Sequence, residues 1–442
     1  MATTYIGRTQ GTPTNSKKWT ISYWAKYNLT NGNWYPTFGC DYDIGDSYFG
    51  VGSGGQGRNE IGFLEYHTSA TNYGQGYTAS SLRDPSAWYH IVFAYDSTQG
   101  SAADRGKTYI NGVQQTNTYS TNIPSNHDSR FNMSGSAISI GRRLRGPQYM
   151  DGVLSHFHFV DGTAYDATPF GSTDSTTGEW KINTSPSVTY GNNGFFVLKD
   201  GNSVTDQSGN SNNLTVGGGT LTKTEDCPSN VFAVLNSLAI PTSGGANTFS
   251  NGNLTITNSA DAFRTTFGTL GVNSGKWYWE AKFLSGEMKQ MIGISKPQEE
   301  MDFVGQSASS WSWQNENARK YNNNSYSSYG STASSGDIIM VAFNADNGAI
   351  WVGKNGTWFN SATQSEIEAG TVTNAMFSSI TIDDFFLPAF TTEDSNIEVN
   401  FGNGYFGTTA VSSAGTNASN IGIFEYNVPA GYTALCTKGL NL

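Results

Sequence analysis

Four groups of side chains in this 442-residue chain have the types and spacing to bind or react. Asp41, Asp43 and Asp46 stand in a glycine-rich stretch and supply hard oxygen ligands of the kind calcium takes. They lack the glycine and terminal glutamate of an EF-hand loop, so no cofactor is expected, with calcium as the alternative. His156 and His158 flank Phe157, and on an extended strand they share a side, where they either hold a metal or face solvent at a sheet edge. The solvent-facing pair is favoured, and no metal ligand set is expected. Glu366 with Glu368, and more loosely Glu393 with Glu398, are the carboxylate pairs to weigh for glycoside cleavage, which in retaining enzymes needs an acid and a nucleophile about 5 Å apart. Both pairs lie among turn residues and read as solvated loop carboxylates. No catalytic residue is expected.

The fourth group is aromatic. Residues 306–336 set Trp311, Trp313, Tyr321, Tyr326 and Tyr329 among serine, asparagine and glycine. Rigid amphipathic rings supply contact area and small polar residues supply adaptable hydrogen bonds, the composition of a recognition loop. Ring faces also stack on the C–H faces of sugars. These five residues are the candidate ligand-binding set. The competing reading makes Trp311 and Trp313, two apart, part of a strand with one face in a core. The two readings stand level.

The elements that must position such groups are strands. Charged residues make up only 13%, about half the usual share, while there are 52 glycines and 13% aromatics, a balance that favours sheet and turns over helix. No segment shows sustained heptads, so no coiled-coil stalk is expected and any homo-oligomer must use the domains themselves. A net charge of −11 disfavours nucleic acid, which requires clustered cations. The one basic cluster, Arg142, Arg143 and Arg145, reads as a solvated loop. Nothing approaches eighteen consecutive apolar residues, and the first residues lack the order of a signal peptide, so a soluble protein without membrane insertion is expected. Cys40, Cys227 and Cys436 are widely spaced and odd in number, and read as isolated thiols.

In residues 275–283, Gly-Lys-Trp-Tyr-Trp-Glu-Ala-Lys-Phe, Trp277, Trp279, Ala281 and Phe283 alternate with Tyr278, Glu280 and Lys282, the period of a half-buried strand. The apolar run 338–343 breaks at Asn347-Gly348 before Ile350, Trp351 and Val352 resume, and Asn355-Gly356 turns the chain again before Trp358. With Ile292-Gly293-Ile294, 387–390 and 399–402 following in order, these segments resemble the SPRY family. Earlier, 19–27 and 88–96 read as strands, Asn111-Gly112 as a two-residue hairpin, and 150–159 as a closing strand. In that order they resemble the laminin-G, concanavalin-like family over about residues 17–165. The expected fold is all-β, two concanavalin-like jelly-roll antiparallel sandwiches: 1–170, then a turn-rich linker at 171–235 partly packed on the sandwiches, then an SPRY-like 236–442.

The family resemblance carries further expectations. The E-x-D-x-x-E strand of concanavalin-fold glycosidases is missing, which argues against an enzyme. Gly178-Glu179-Trp180, Gly194-Phe195-Phe196, 206–213 and 227–230 are similar to junctions in structural proteins of marine bacteriophages. That resemblance implies a non-enzymatic protein of the virion surface, in a tail fibre, spike or capsid decoration. Its implied partners are other virion proteins and a host cell-surface glycan or receptor. A glycan hydrolase and a purely architectural subunit are the alternatives.

Overall fold

The computed structural model describes residues 3–29, 35–43, 45–52, 59–67, 71–199, 201, 203–238, 245–284, 289–297 and 301–441. The chain divides into two compact units, Met1–Lys223 and Thr224–Leu442. Both are built from antiparallel sheets, as the alternating patterns require.

In the first unit an eight-stranded sheet runs in the order Asn117–Thr121, Thr71–Ser81, Glu60–His67, Gly45–Val51, Tyr35–Tyr42, Ala137–Ile140, Tyr5–Thr9, Thr215–Gly218. A six-stranded sheet runs Phe195–Val197, Gly152–Asp161, Lys18–Tyr27, Tyr89–Asp96, Gly106–Ile110, Val113–Gln114. Trp19 and Tyr23 point from the smaller sheet into the larger one, meeting Phe63 at 6.5 Å and Phe49 at 6.4 Å. Each such aromatic, once fully buried, contributes roughly 2–3 kcal/mol of apolar transfer. The predicted hairpin forms at Asn111 (φ 47°) and Gly112 (φ 80°), two left-handed residues that suit the strand twist.

Residues read as turn-rich between 171 and 235 take part in the first unit's structure. Phe195–Val197 pairs with the closing strand and Thr215–Gly218 pairs with Tyr5–Thr9. The polar run after Asp206 serves that placement: its carboxylate accepts from the amides of Phe196, Ser208 and Asn212. The division between compact units falls at Lys223 and Thr224, within the stretch read as linker.

In the second unit, Trp277, Trp279, Ala281 and Phe283 enter the main core beside Ile339, Val341 and Phe343 of the neighbouring strand Ile338–Asn344. The facing six-stranded sheet contributes Ile292, Ile294, Trp313 and Phe390. Asn355 (φ 49°) and Gly356 (φ 83°) make the expected tight turn.

One expectation differs in both units. The strands Lys18–Tyr27 and Lys276–Leu284 alternate as though half exposed, yet nine of the ten residues of the first and six of the nine of the second are buried, Tyr278 and Glu280 of its outer face included. A second layer covers the outer face. In the first unit Val92, Val160, Ala167 and Phe170 pack with Tyr165, Trp180, Val188 and Tyr190. In the second, Tyr278, Met340 and Trp351 lie under Trp358, Ile367, Phe424, Val428 and Tyr432. The polar members of the alternation are satisfied by that cover: Thr20 Oγ1 donates to Thr163 O and accepts from Tyr165 N.

Candidate functional site

The aromatic stretch 306–336 folds as a meander, Ser310–Gln314, Arg319–Asn322 and Ser325–Ser328, at one edge of the second unit's six-stranded sheet. This splits the five candidate residues. Trp313 is fully buried and its Nε1 donates to Tyr329 O at 2.9 Å. Tyr329 is buried as well, its hydroxyl donating to Asn374 O at 3.0 Å. Both leave the candidate set as corrections, because a ring enclosed by the core has no face for a ligand. Trp311 is half-buried against Phe386. Tyr321 sits between Phe303 and Tyr326, and Tyr326 is 58% exposed with the Arg319 guanidinium 4.2 Å from its ring centroid. The surface left to this group is therefore Arg319, Tyr321 and Tyr326 on an edge hairpin.

The acidic triplet and the basic cluster find each other. Arg145 pairs with Asp41 at 2.8 Å and Arg143 with Asp46 at 2.5 Å, while Asp43 occupies a left-handed turn position. Arg143 also lies 4.9 Å from the Tyr48 ring centroid and Arg142 4.4 Å from that of Tyr5. The arginines thus hold the loop to the sheet, which corrects their reading as a solvated cluster. Among the described residues no group of three or more His, Cys, Asp or Glu side chains is placed to hold a metal ion.

The histidine pair is also corrected. A register shift between Ser155 and His158, with His156 at φ 50°, breaks the alternation, and both rings are buried instead of facing solvent. His158 stacks on Phe196 at 4.0 Å, and its Nδ1 meets the Tyr190 hydroxyl at 2.8 Å. Nearby, Trp180 Nε1 donates to His90 Nδ1 at 2.9 Å, so Nε2 carries the proton and donates to Ser22 Oγ at 2.9 Å. Burial pushes His90 down to about 3 and His158 well below the ordinary histidine value, with His156 and His90 adding to the latter. These rings are neutral packing elements at neutral pH.

Three of the four weighed carboxylates are engaged structurally. Glu366 closes a capping box with Thr363 at the start of helix Gln364–Ala369, and Glu368 accepts from Ala430 N. Glu393 pairs with Lys289, and Glu398 is half-buried on its strand. Another carboxylate is fully buried: Glu280, on the tryptophan strand, accepts from the amides of Glu425 and Tyr426 and from the Tyr278 hydroxyl. Burial pushes it up to about 7 against the pull of those donors. Its work is to clasp the covering segment.

Sequence reasoning missed a concavity of about 380 Å³ in the first unit. Its walls include Tyr42, Tyr73, Asn126, His127, Asp128 and Arg130. Tyr42 ends strand Tyr35–Tyr42, Tyr73 lies in Thr71–Ser81, and the rest come from the turn before and the 3-10 segment Arg130–Asn132. Arg130 Nη1 donates to Tyr42 O at 2.6 Å, and the guanidinium lies 5.6 and 5.4 Å from the Tyr42 and Tyr73 ring centroids. His127 stacks on Tyr73 at 4.4 Å. Behind them the fully buried Glu65 accepts from His127 Nε2, Ser129 Oγ and Arg130 N, fixing the turn. The adjacent His127-Asp128-Ser129-Arg130 was the signal in sequence, but its tyrosine walls lie more than fifty residues upstream.

Two family models match the chain. Residues 2–168 match the concanavalin A-like lectin/glucanases superfamily, and residues 276–404 match the SPRY domain. The chain joins a concanavalin A-like domain to an SPRY domain. Domains of both kinds are typically non-catalytic binding modules. The concavity therefore lies in the concanavalin A-like domain, and the Arg319–Tyr326 edge in the SPRY domain. Among solved structures, the SPRY domain of human HERC1 is similar at 16% identity, covering 36% of this chain and 96% of that one, with a TM-score of 0.28. Another human SPRY domain is similar at 14% identity over 33% of this chain and 90% of that one, with a TM-score of 0.25. No curated protein matches.

Proposed function

We propose that this chain is a non-enzymatic surface protein of a bacteriophage virion, a tail fibre, spike or capsid-bound component, whose modules attach host-surface glycan or contact neighbouring virion proteins. The observation that carries the binding reading is the concavity of the concanavalin A-like domain. It combines ring faces, a held guanidinium and exposed polar side chains, the mixture that takes a hydroxyl-rich ligand. The weighed carboxylates Glu366, Glu368 and Glu393 are engaged in caps, amide contacts or an ion pair, which supports binding over cleavage. The virion setting rests on the junction sequences around Trp180, Phe195, Asp206 and Cys227, which are similar to those of marine phage structural proteins.

Cryo-microscopy of intact particles tests the setting. Density for both sandwiches on a tail or capsid surface is the expected result, and a particle lacking the chain overturns it. A glycan array with the full chain tests the binding, where retention of at least one surface glycan is expected.

A further inference from the structure

From the concavity beside Arg130 we infer that the concanavalin A-like domain selects acidic saccharides, reading a ring carboxylate with the Arg130 guanidinium. This rests on the glycan-binding reading above and names the ligand class of that same site.

Arg130 is 8% exposed, and one arm of its fork is committed to Tyr42 O. The planes of Tyr42 and Tyr73 flank it, so its direction is set before any ligand arrives. Glu65, behind the wall, is fully buried and spends its oxygens on His127, Ser129 and the Arg130 backbone amide. A preset guanidinium at the wall of an open hollow matches a carboxylate better than a neutral hydroxyl, because a charge-assisted hydrogen bond from its remaining N–H groups is about twice as strong as a neutral one.

The remaining walls suit the rest of a sugar. Asp128 is exposed and accepts from Ser16 Oγ with one oxygen, leaving the other to accept a sugar hydroxyl. Asn126 is exposed at a left-handed position, presenting its amide at the rim. The Tyr73 ring, backed by His127, offers an apolar plane beside the cation. Because the whole chain carries −11, long-range steering works against an anion, so selection must come from contact inside the hollow.

The test varies the ligand first and the protein second. Titrate the full chain with a glucuronate-terminated oligosaccharide and its carboxyl-reduced counterpart, and with a sialylated oligosaccharide and its asialo form. The acid should bind at least about tenfold more tightly in one of the two pairs, the scale of a charge-assisted hydrogen bond. Arg130→Gln should bring that acid down to its neutral partner, Arg130→Lys should keep part of the preference, and Val113→Thr, at a 65% exposed position outside the hollow, should leave it intact. If Arg130→Gln unfolds, the paired-ligand comparison on the native chain decides alone. Equal binding of acid and neutral members overturns this inference while leaving glycan attachment standing, as does an acid preference that survives in a folded Arg130→Gln. Absence of binding to any glycan overturns both readings.

Discussion

The two domains solve one problem with opposite chemistry. Each lays a second layer over the outer face of a sheet whose strands alternate polar and apolar residues, so each must accommodate buried polar groups. The concanavalin A-like domain uses neutral histidines, with His90 clamped between Ser22 and Trp180 and His158 against Phe196 and Tyr190. The SPRY domain uses a carboxyl group, Glu280, clasping the amides of Glu425 and Tyr426. Burial disfavours charge in both places, yet for a base that means resisting a proton and for an acid it means keeping one. The covers should therefore respond to pH with opposite sign.

The largest expected effect is acid lability of the concanavalin A-like domain. His90 has its folded value lowered from 6.5 to about 3, so its contribution is present above pH 6.5 and is lost as pH falls toward 3. At pH 3 the loss from this ring alone approaches about 5 kcal/mol, with His158 adding in the same direction. Urea unfolding of the full chain from pH 7 to 4 should show one transition moving to lower denaturant. His90→Gln, which can keep a donor and an acceptor, should flatten most of that slope.

The SPRY domain should move the other way. Glu280 has its folded value raised from 4.5 to about 7, so its relative stability is greatest below pH 4.5 and declines as pH rises to 7. The decline amounts to about 3 kcal/mol. A second unfolding transition that strengthens from pH 7 to 5, and loses that dependence in Glu280→Gln, would confirm the contrast. Two transitions that weaken together in acid would break it.

Next in size is the fastening of the first cover. Gly112 has φ 80°, and a Cβ there would stand 2.4 Å from the Trp180 ring. Gly112→Ala should lower stability by about 2 kcal/mol, combining left-handed strain with collision. Adding Trp180→Ala should relieve the collision but not the strain, so the double variant falls short of the summed losses in a thermal-melt cycle. Smallest is Tyr326→Ala in the SPRY domain: the ring is 58% exposed, and stability should stay within about 0.5 kcal/mol.

Much of the architecture was legible because its signals are local. The alternation of Trp277, Trp279, Ala281 and Phe283 marks a sheet facing a core, and Asn355-Gly356 marks a turn that needs two left-handed residues. The covers were not legible, since Thr20, Ser22 and Glu280 look solvent-facing until segments far along the chain close over them. The same limit misplaced two candidate rings, Trp313 and Tyr329. Trp311 and Trp313 do share a strand, but one reaches the rim and the other the centre of the core, a distinction made by Phe386 and Tyr329 rather than by spacing. The Arg130 concavity needed Tyr42, Tyr73 and residues 126–130 brought together by sheet pairing, which no local pattern encodes.

The central claim, that these domains bind glycan without cleaving it, meets its most direct test on host-surface polysaccharide immobilised on beads. The full chain is incubated with the beads, and both the protein retained and the new reducing ends released are measured. Retention above that on bare beads is expected, with no release over a protein-free control. Steady release of reducing ends, or a failure to be retained by any surface polysaccharide, would contradict it.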